Sequence, residues 1–225
     1  FQQLLNGLTI GMVYALIALG YTMVYGVIQL INFAHSDVFM VGAFMGLYIA
    51  AFFGASGAAA APLPLYADLA VLVGAMAVCA LLGVVIERFA YRPLRNAPRL
   101  APLITAIGVS LFLENAGQLV FGAAPERFPL VIREIPFSLG GVMLTNIKVA
   151  IFLVTVLLMV GLELFIARSW TGKAMRALSV NLDAARLMGV PTDRIIAYTF
   201  AIGAALAAAG GILFGLDQTT IDPLM

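Results

Sequence analysis

The run Leu69-Ala-Val-Leu-Val-Gly-Ala-Met-Ala-Val-Cys-Ala-Leu-Leu-Gly-Val-Val-Ile86 decides the fold class. It carries no charge and its apolar residues do not alternate with polar ones, so every side of the segment is apolar. Its length suits the roughly 20 residues a helix needs to cross the hydrocarbon core of a bilayer, whereas a strand of an outer-membrane barrel would alternate. On either side of it, five more apolar runs are bounded by polar breaks. They give six predicted spans at 4–26, 38–55, 67–86, 103–121, 147–167 and 195–216. The whole chain agrees: 225 residues, mean hydropathy +1.08, 63% hydrophobic and 10% charged, against about 45–50% apolar and about 25% charged in soluble domains. The expected fold is all-α, a polytopic helical membrane protein with about six transmembrane helices in a single domain over 1–225.

The 12 basic residues fall into three groups. Arg88, Arg92, Arg95 and Arg99 follow the third span; Arg127, Arg133 and Lys148 follow the fourth; Arg168, Lys173, Arg176, Arg186 and Arg194 follow the fifth. The middle group is offset by Glu126 and Glu134. By the positive-inside rule the first and third groups face the cytoplasm, which makes 88–99 a cytoplasmic basic loop, 122–146 an external loop and 168–194 a second cytoplasmic loop. Two complete spans before Ala67 place the N-terminus outside; a re-entrant segment near Asn32 would reverse that. The external loop, with the runs 128–132 and 135–139, Gly140-Gly141 and 142–144, reads as a small hairpin. It would serve as a partner surface or a lid.

A net charge of +1 without a soluble basic face excludes a nucleic-acid binder. The single cysteine, Cys79, lies in an apolar run and reads as a small buried hydrophobe, with no disulfide framework or cysteine metal cluster. No cleavable signal peptide is visible, because the basic n-region is missing. Phe1 is not an initiator and Met225 closely follows Asp222-Pro223, so the chain reads as truncated, at the C-terminus above all.

Small residues recur every fourth position at Gly7, Gly11 and Ala15, at Gly42, Gly46, Ala50 and Gly54, and at Gly203, Ala207, Gly211 and Gly215. In lipid, such faces let helix backbones approach; they read as tight packing or as surfaces on which helices shift.

Three places carry polar chemistry. Between the first two spans, Asn32, His35 and Asp37 put an amide, the only histidine and a carboxylate within six residues. At membrane depth such groups line a watery pathway; at the interface, Ser36 or Asp37 would instead cap the next helix. In the fourth span, Ser110, Glu114, Gly117 and Gln118 share one helical face, and Glu114 must turn to the bundle interior, as a proton relay or as a hydrogen-bonded strut between helices. Glu163 sits beside Arg168 at a span end and snorkels.

In the second cytoplasmic loop, 175–187 predicts one or two short amphipathic helices. Gly189 closes them in a left-handed cap with Pro191 beyond, and Thr192 caps the next span. The apolar face of Leu182, Ala185, Leu187 and Met188 must rest on the bilayer surface or on a cytoplasmic partner. The segment 174–189, with Arg176, Leu182, Asp183, Ala184, Ala185, Arg186, Leu187 and Gly189, is therefore the expected coupling element, its arginines setting orientation more than affinity. Gly172-Lys173 is followed by Ala174 rather than Ser or Thr and lacks the preceding glycine of a phosphate-binding loop. There is also no G-x-S-x-G. The chain is expected to be non-catalytic.

The run 11–26, Gly-Met-Val-Tyr-Ala-Leu-Ile-Ala-Leu-Gly-Tyr-Thr-Met-Val-Tyr-Gly, followed by Ile31-Asn32-Phe33-Ala34-His35-Ser36-Asp37, resembles the N-terminal signature of permease subunits of branched-chain amino acid ABC transporters. The basic stretch Glu87-Arg88-Phe89-Ala90-Tyr91-Arg92-Pro93-Leu94-Arg95 resembles a loop of the same subunits. Gly172-Lys173-Ala174-Met175-Arg176-Ala177 with Asp183-Ala184-Ala185-Arg186-Leu187-Met188-Gly189-Val190 resembles their ATPase-contacting loop. The three motifs occur in order over nearly the whole chain. Ser36 stands where that family usually has Gly, and the family continues with further spans after Asp222-Pro223. The resemblance implies a multi-pass subunit of the bacterial inner membrane that pairs with a second permease subunit. It also implies two cytoplasmic ATPase subunits, which bind ATP and Mg, and a periplasmic amino-acid-binding protein; this chain holds no cofactor of its own. Substrates would be Leu, Ile and Val or related amino acids. The alternative from the residues alone is an ion-gradient-driven secondary transporter or channel for a small polar solute, with Glu114 and His35 as a proton-linked pair.

Overall fold

In the computed structural model, residues 2–55, 64–95, 97–98, 100–129, 135–139 and 142–225 are described. Six long helices form the bundle: α1 (Gln2–Ile28), α2 (His35–Phe52), α3 (Leu65–Ile86), α4 (Leu100–Phe121), α5 (Asn146–Arg168) and α8 (Thr192–Gln218). All six are long and apolar enough to cross a membrane, at the six places the hydropathy pattern marks. Two short helices, α6 (Trp170–Val180) and α7 (Leu182–Leu187), join α5 to α8.

The core is built around α8. Seventeen of its 27 residues are buried, against three of 22 in α4 and four of 23 in α5, and it packs on α1, α2 and α3. The small residues of α8 explain why it can occupy the middle. A β-carbon at Gly20 of α1 would stand 2.7 Å from the Gly203 carbonyl, one at Gly83 of α3 would stand 2.7 Å from the Phe200 carbonyl, and one at Gly42 of α2 would collide with Ala208. These are backbone-to-backbone contacts of the kind that drive helix association in lipid. The α1 stripe behaves differently. Gly7 and Gly11 have nothing within 4 Å of a built β-carbon, and α1 turns Val13, Leu16, Gly20, Val24 and Val27 inward instead. Gly42→Val should therefore lower folded yield, by a destabilisation of about 1–3 kcal/mol for overpacking, while Gly7→Val leaves it unchanged; equal proteolytic resistance of the two variants in membranes would contradict this packing.

The end of the bundle near Gln2 carries the short strands. Strands β2 (Pro136–Leu139) and β3 (Val142–Thr145) pair antiparallel, Pro136 opposite Thr145 and Leu139 opposite Val142. This is a hairpin where one was expected; its Gly140-Gly141 turn lies outside the described residues, as do Arg99, Arg133 and Glu134. The Gln2 side-chain amide donates to the Met143 carbonyl and accepts from its N–H, both at 2.9 Å, and Lys148 donates to Asn6 at 2.6 Å. Strand β1 (Glu126–Arg127) pairs with β4 (Thr220–Ile221), tying the ends of α4 and α8 together. The N-terminal end of α1 thus lies on the hairpin side, and α2 begins beside the middle of α1, where His35 meets Ile17 and Gly20. In a background where Cys79 is replaced, a cysteine at Met143 should react with an impermeant thiol reagent applied outside and one at Lys173 should not; labelling of the Lys173 site would invert the whole topology.

Two expected caps are corrected. Helix α2 begins at His35, three residues before the predicted start, so Ser36 and Asp37 lie inside its first turn; the cap position is Ala34, which offers no side-chain bond, and Ser36 donates its hydroxyl to the Phe33 carbonyl at 3.2 Å. Likewise Thr192 is the first residue of α8, with Pro191 at the cap position and no side-chain cap bond. The caps of the loop helices do form. Ser169 accepts from the Gly172 N–H and Asn181 from the Ala184 N–H, each at 2.9 Å. Gly189, at φ +82°, closes α7 with the Gly189 N–H on the Arg186 carbonyl and the Val190 N–H on the Ala185 carbonyl, the paired bonds of a Schellman ending.

Candidate functional site

Gln29 takes a left-handed conformation at φ 55° and ends α1. A short unwound segment then leads to His35. Within it, Asn32 is buried and its amide oxygen accepts the Tyr91 hydroxyl at 2.9 Å. Tyr91 is itself buried against Phe200 of α8. The His35 ring is buried too, with Nε2 3.1 Å from the Ile17 carbonyl and an edge contact to Tyr21. A β-carbon at Gly20 would stand 3.0 Å from that ring, so the glycine makes room for the imidazole.

Asp37 points elsewhere. Residues two apart on an α-helix are separated by about 200° around its axis, so His35 and Asp37 cannot line one path. The Asp37 carboxyl turns to the Ser110 hydroxyl of α4, within the electrostatic reach of Glu114, and its Oδ2 is buried without a hydrogen-bond partner. One turn beyond Glu114, Gly117 admits the tip of Met40 from α2, and Gln118 is half-buried beside it. The five polar residues singled out in the spans therefore divide. Asn32 and His35 hold α2 to α1 and α3, whereas Asp37, Glu114 and Gln118 share the seam between α2 and α4, with Ser110 among them.

At the end of the bundle away from the hairpin, α3 runs into a π-helical turn, Glu87–Tyr91, and a 3-10 turn, Arg92–Leu94. Glu87 is buried and ion-paired with Arg95; Arg95 also reaches Asp193 at 2.6 Å, and Arg92 pairs with Asp193. This four-residue network fastens the basic loop to the first turn of α8, where Asp193 also complements the helix dipole. Sequence reading passed over Glu87 and Asp193, since neither lies in a span centre. The available signal was a carboxylate at the inner end of each of two spans, facing a loop of four arginines.

The loop helices have one face in and one out. Gly172, Ala174, Met175 and Leu178 of α6 and Ala185 of α7 are buried. Arg176 turns back onto α5, donating to the Ile166 carbonyl, and so satisfies a helix end rather than reaching away from the bundle. The expected apolar face of α7 is split: Ala185 and, in part, Leu182 rest on the protein, while Leu187 and Met188 are 88% and 84% exposed, as is Val180 at the end of α6 at 86%. Asp183, Ala184, Arg186 and Gly189 are exposed around them.

The family model for the permease component of branched-chain amino acid transport systems matches residues 3–225. The chain belongs to that family. The permease is 44% identical over 226 residues to the high-affinity branched-chain amino acid transport system permease protein BraD of Pseudomonas aeruginosa, covering 99% of this chain and 73% of the relative. It is 43% identical over 229 residues to LivH of Escherichia coli K12, covering 99% and 72%. It is 30% identical over 209 residues to the probable branched-chain amino acid transport permease protein LivH of Methanocaldococcus jannaschii, covering 88% and 61%. No solved structure matches it significantly. With six candidate spans and these relatives, the permease is a multi-pass protein of the bacterial inner membrane and a component of a branched-chain amino acid transport system.

Proposed function

We propose that the permease is the membrane subunit of an ATP-driven importer that carries branched-chain or related amino acids into the cell. A second permease subunit would complete the pathway, two cytoplasmic ATPase subunits would bind ATP and Mg, and a periplasmic binding protein would deliver substrate. The observation that carries this reading is the cytoplasmic apolar trio Val180, Leu187 and Met188, presented on two capped helices of a chain with no phosphate-binding loop. An energy-driven permease without a nucleotide site must receive work through a contact, and a few large side chains carry most of an interface's energy. In this reading Leu187 and Met188 enter a groove on the ATPase with the exposed Ala184 at its rim, Asp183 and Arg186 set its orientation, Leu182 and Ala185 seat α7 on the bundle, Gly189 holds the return to α8, and Arg176 braces α6 on α5.

The substrate pathway is assigned to the α2–α4 seam, where Asp37 and Glu114 offer carboxylates suited to an α-ammonium and Ser110 and Gln118 add neutral hydrogen bonds. Asn32 and His35 border it from the unwound segment. Leu187→Asp should weaken ATPase retention by about 30-fold or more, the scale of losing an interface hot spot of about 2 kcal/mol, and should abolish uptake while the permease still folds in the membrane. If ATP hydrolysis and co-purification stay normal, the coupling role moves to the basic loop at 88–99. Uptake that survives collapse of the proton gradient is the expected energetic signature.

A further inference from the structure

We propose that a cleft on the cytoplasmic face of the permease binds the phosphate of an anionic phospholipid. The cleft, of about 630 Å³, lies between the π-turn that ends α3 and the start of α8, and is lined by Arg88, Arg92, Arg186 and Arg194 together with Glu87 and Asp193. Both carboxylates already have cationic partners: Glu87 has Arg95, and Asp193 has Arg92 and Arg95. Among the described residues, Arg88, Arg186 and Arg194 form no ion pair. Three arginines without ion-pair partners lining one cleft repel one another until an anion joins them, and the oxygens of a phosphate match the planar donor fork of arginine.

The surroundings specify a lipid rather than a free ion. Val78, Leu81 and Val85 of α3 are exposed, and their spacing of three and four residues carries one face of the helix directly to Arg88. On α8 the exposed Tyr198 stands one turn from Arg194 in the same way. Val84 and Ala197, which belong to the spans, form the inner wall of the cleft. An acyl chain lying along the α3 stripe would thus deliver its headgroup to the arginines. Basic pockets between spans on the cytoplasmic side are where anionic headgroups are held. Because Arg186 comes from α7 and Arg88 from the end of α3, the bound phosphate joins the loop helices to the bundle.

The test is native mass spectrometry of the full-length permease, purified with its accompanying subunits in mild detergent and titrated with phosphatidylglycerol or phosphatidylcholine. Phosphatidylglycerol should be retained preferentially. Arg88→Gln with Arg194→Gln should weaken that retention by about 25-fold, roughly fivefold for each charge near the membrane surface, while Arg168→Gln, the same charge change outside the cleft, leaves it intact. Arg88→Lys, which keeps the charge and removes the fork, should fall between. Equal retention of the two lipids, or equal loss from Arg168→Gln, overturns the proposal. Displacement of the lipid by an equal concentration of inorganic phosphate would show a free-anion site and overturn it too. So would loss of a cytoplasmic subunit from the double variant with lipid retention unchanged, because the cleft would then hold an acidic protein segment.

Discussion

Arg95→Ala should destabilise the permease by about 3–5 kcal/mol, the cost of leaving a buried carboxylate without its partner. Glu87 is 2% exposed and Arg95 12%, so water cannot easily replace the guanidinium. The same side chain holds Asp193 at the start of α8, so its loss frees the inner end of the central helix as well. The expected readout is a large fall in the thermal midpoint of the detergent-purified protein. Glu87→Gln added to Arg95→Ala should recover much of that loss, because a neutral amide is far cheaper to bury than a lone carboxylate. A single Arg95→Ala variant with an unchanged midpoint would mean that Glu87 is hydrated or neutral and that the network holds nothing.

Asp37→Leu should depress amino-acid uptake by roughly 10- to 100-fold, the kinetic equivalent of losing a charge-assisted hydrogen bond of about 1.5–3 kcal/mol. Assembly in the membrane should be preserved, since the Asp37 Oδ2 has no protein partner to lose. Glu114→Gln should act in the same direction across the α2–α4 seam. Asn32→Leu is the contrasting case. It orphans the buried Tyr91 hydroxyl, so about 1–3 kcal/mol of stability should go, and uptake should fall only in proportion to the folded protein present. Normal uptake by Asp37→Leu would remove the seam from the pathway.

The spans were legible because hydropathy is a local property, and Leu69 to Ile86 needs no neighbour to declare itself. The Gly189 ending and the short loop helices were legible for the same reason: glycine at a left-handed position followed closely by proline is a local signature. What sequence could not show was which way side chains turn. His35 and Asp37 looked like one polar patch, yet helical geometry sends them to opposite sides, one onto the Ile17 carbonyl and the other toward Ser110. Arg176 and Arg186 looked alike in the loop, but one is bound to the end of α5 and the other faces a cleft. The stripe at Gly7 and Gly11 matched those on α2 and α8 by spacing, but only a stripe with a helix opposite it becomes a contact. Glu87 and Asp193 escaped notice because they lie 8 and 98 residues from their shared partner Arg95, and only the fold brings the second pair together.

The central helix has one further consequence. Backbone atoms of α8 meet backbone or β-carbon atoms of α1, α2 and α3 with no intervening side chain that might swing aside. A turn of α8 by a single residue, about 100°, would drive Ile202 or Ile212 into a slot sized for glycine. These four helices therefore form a keyed block that cannot swivel internally. Any alternation between inward and outward openings falls to the lightly held elements, α4 across its seam with α2, and α5 with the loop helices it carries. Motion delivered at α7 would then reach the seam by tilting panels against a fixed post, not by twisting the post itself.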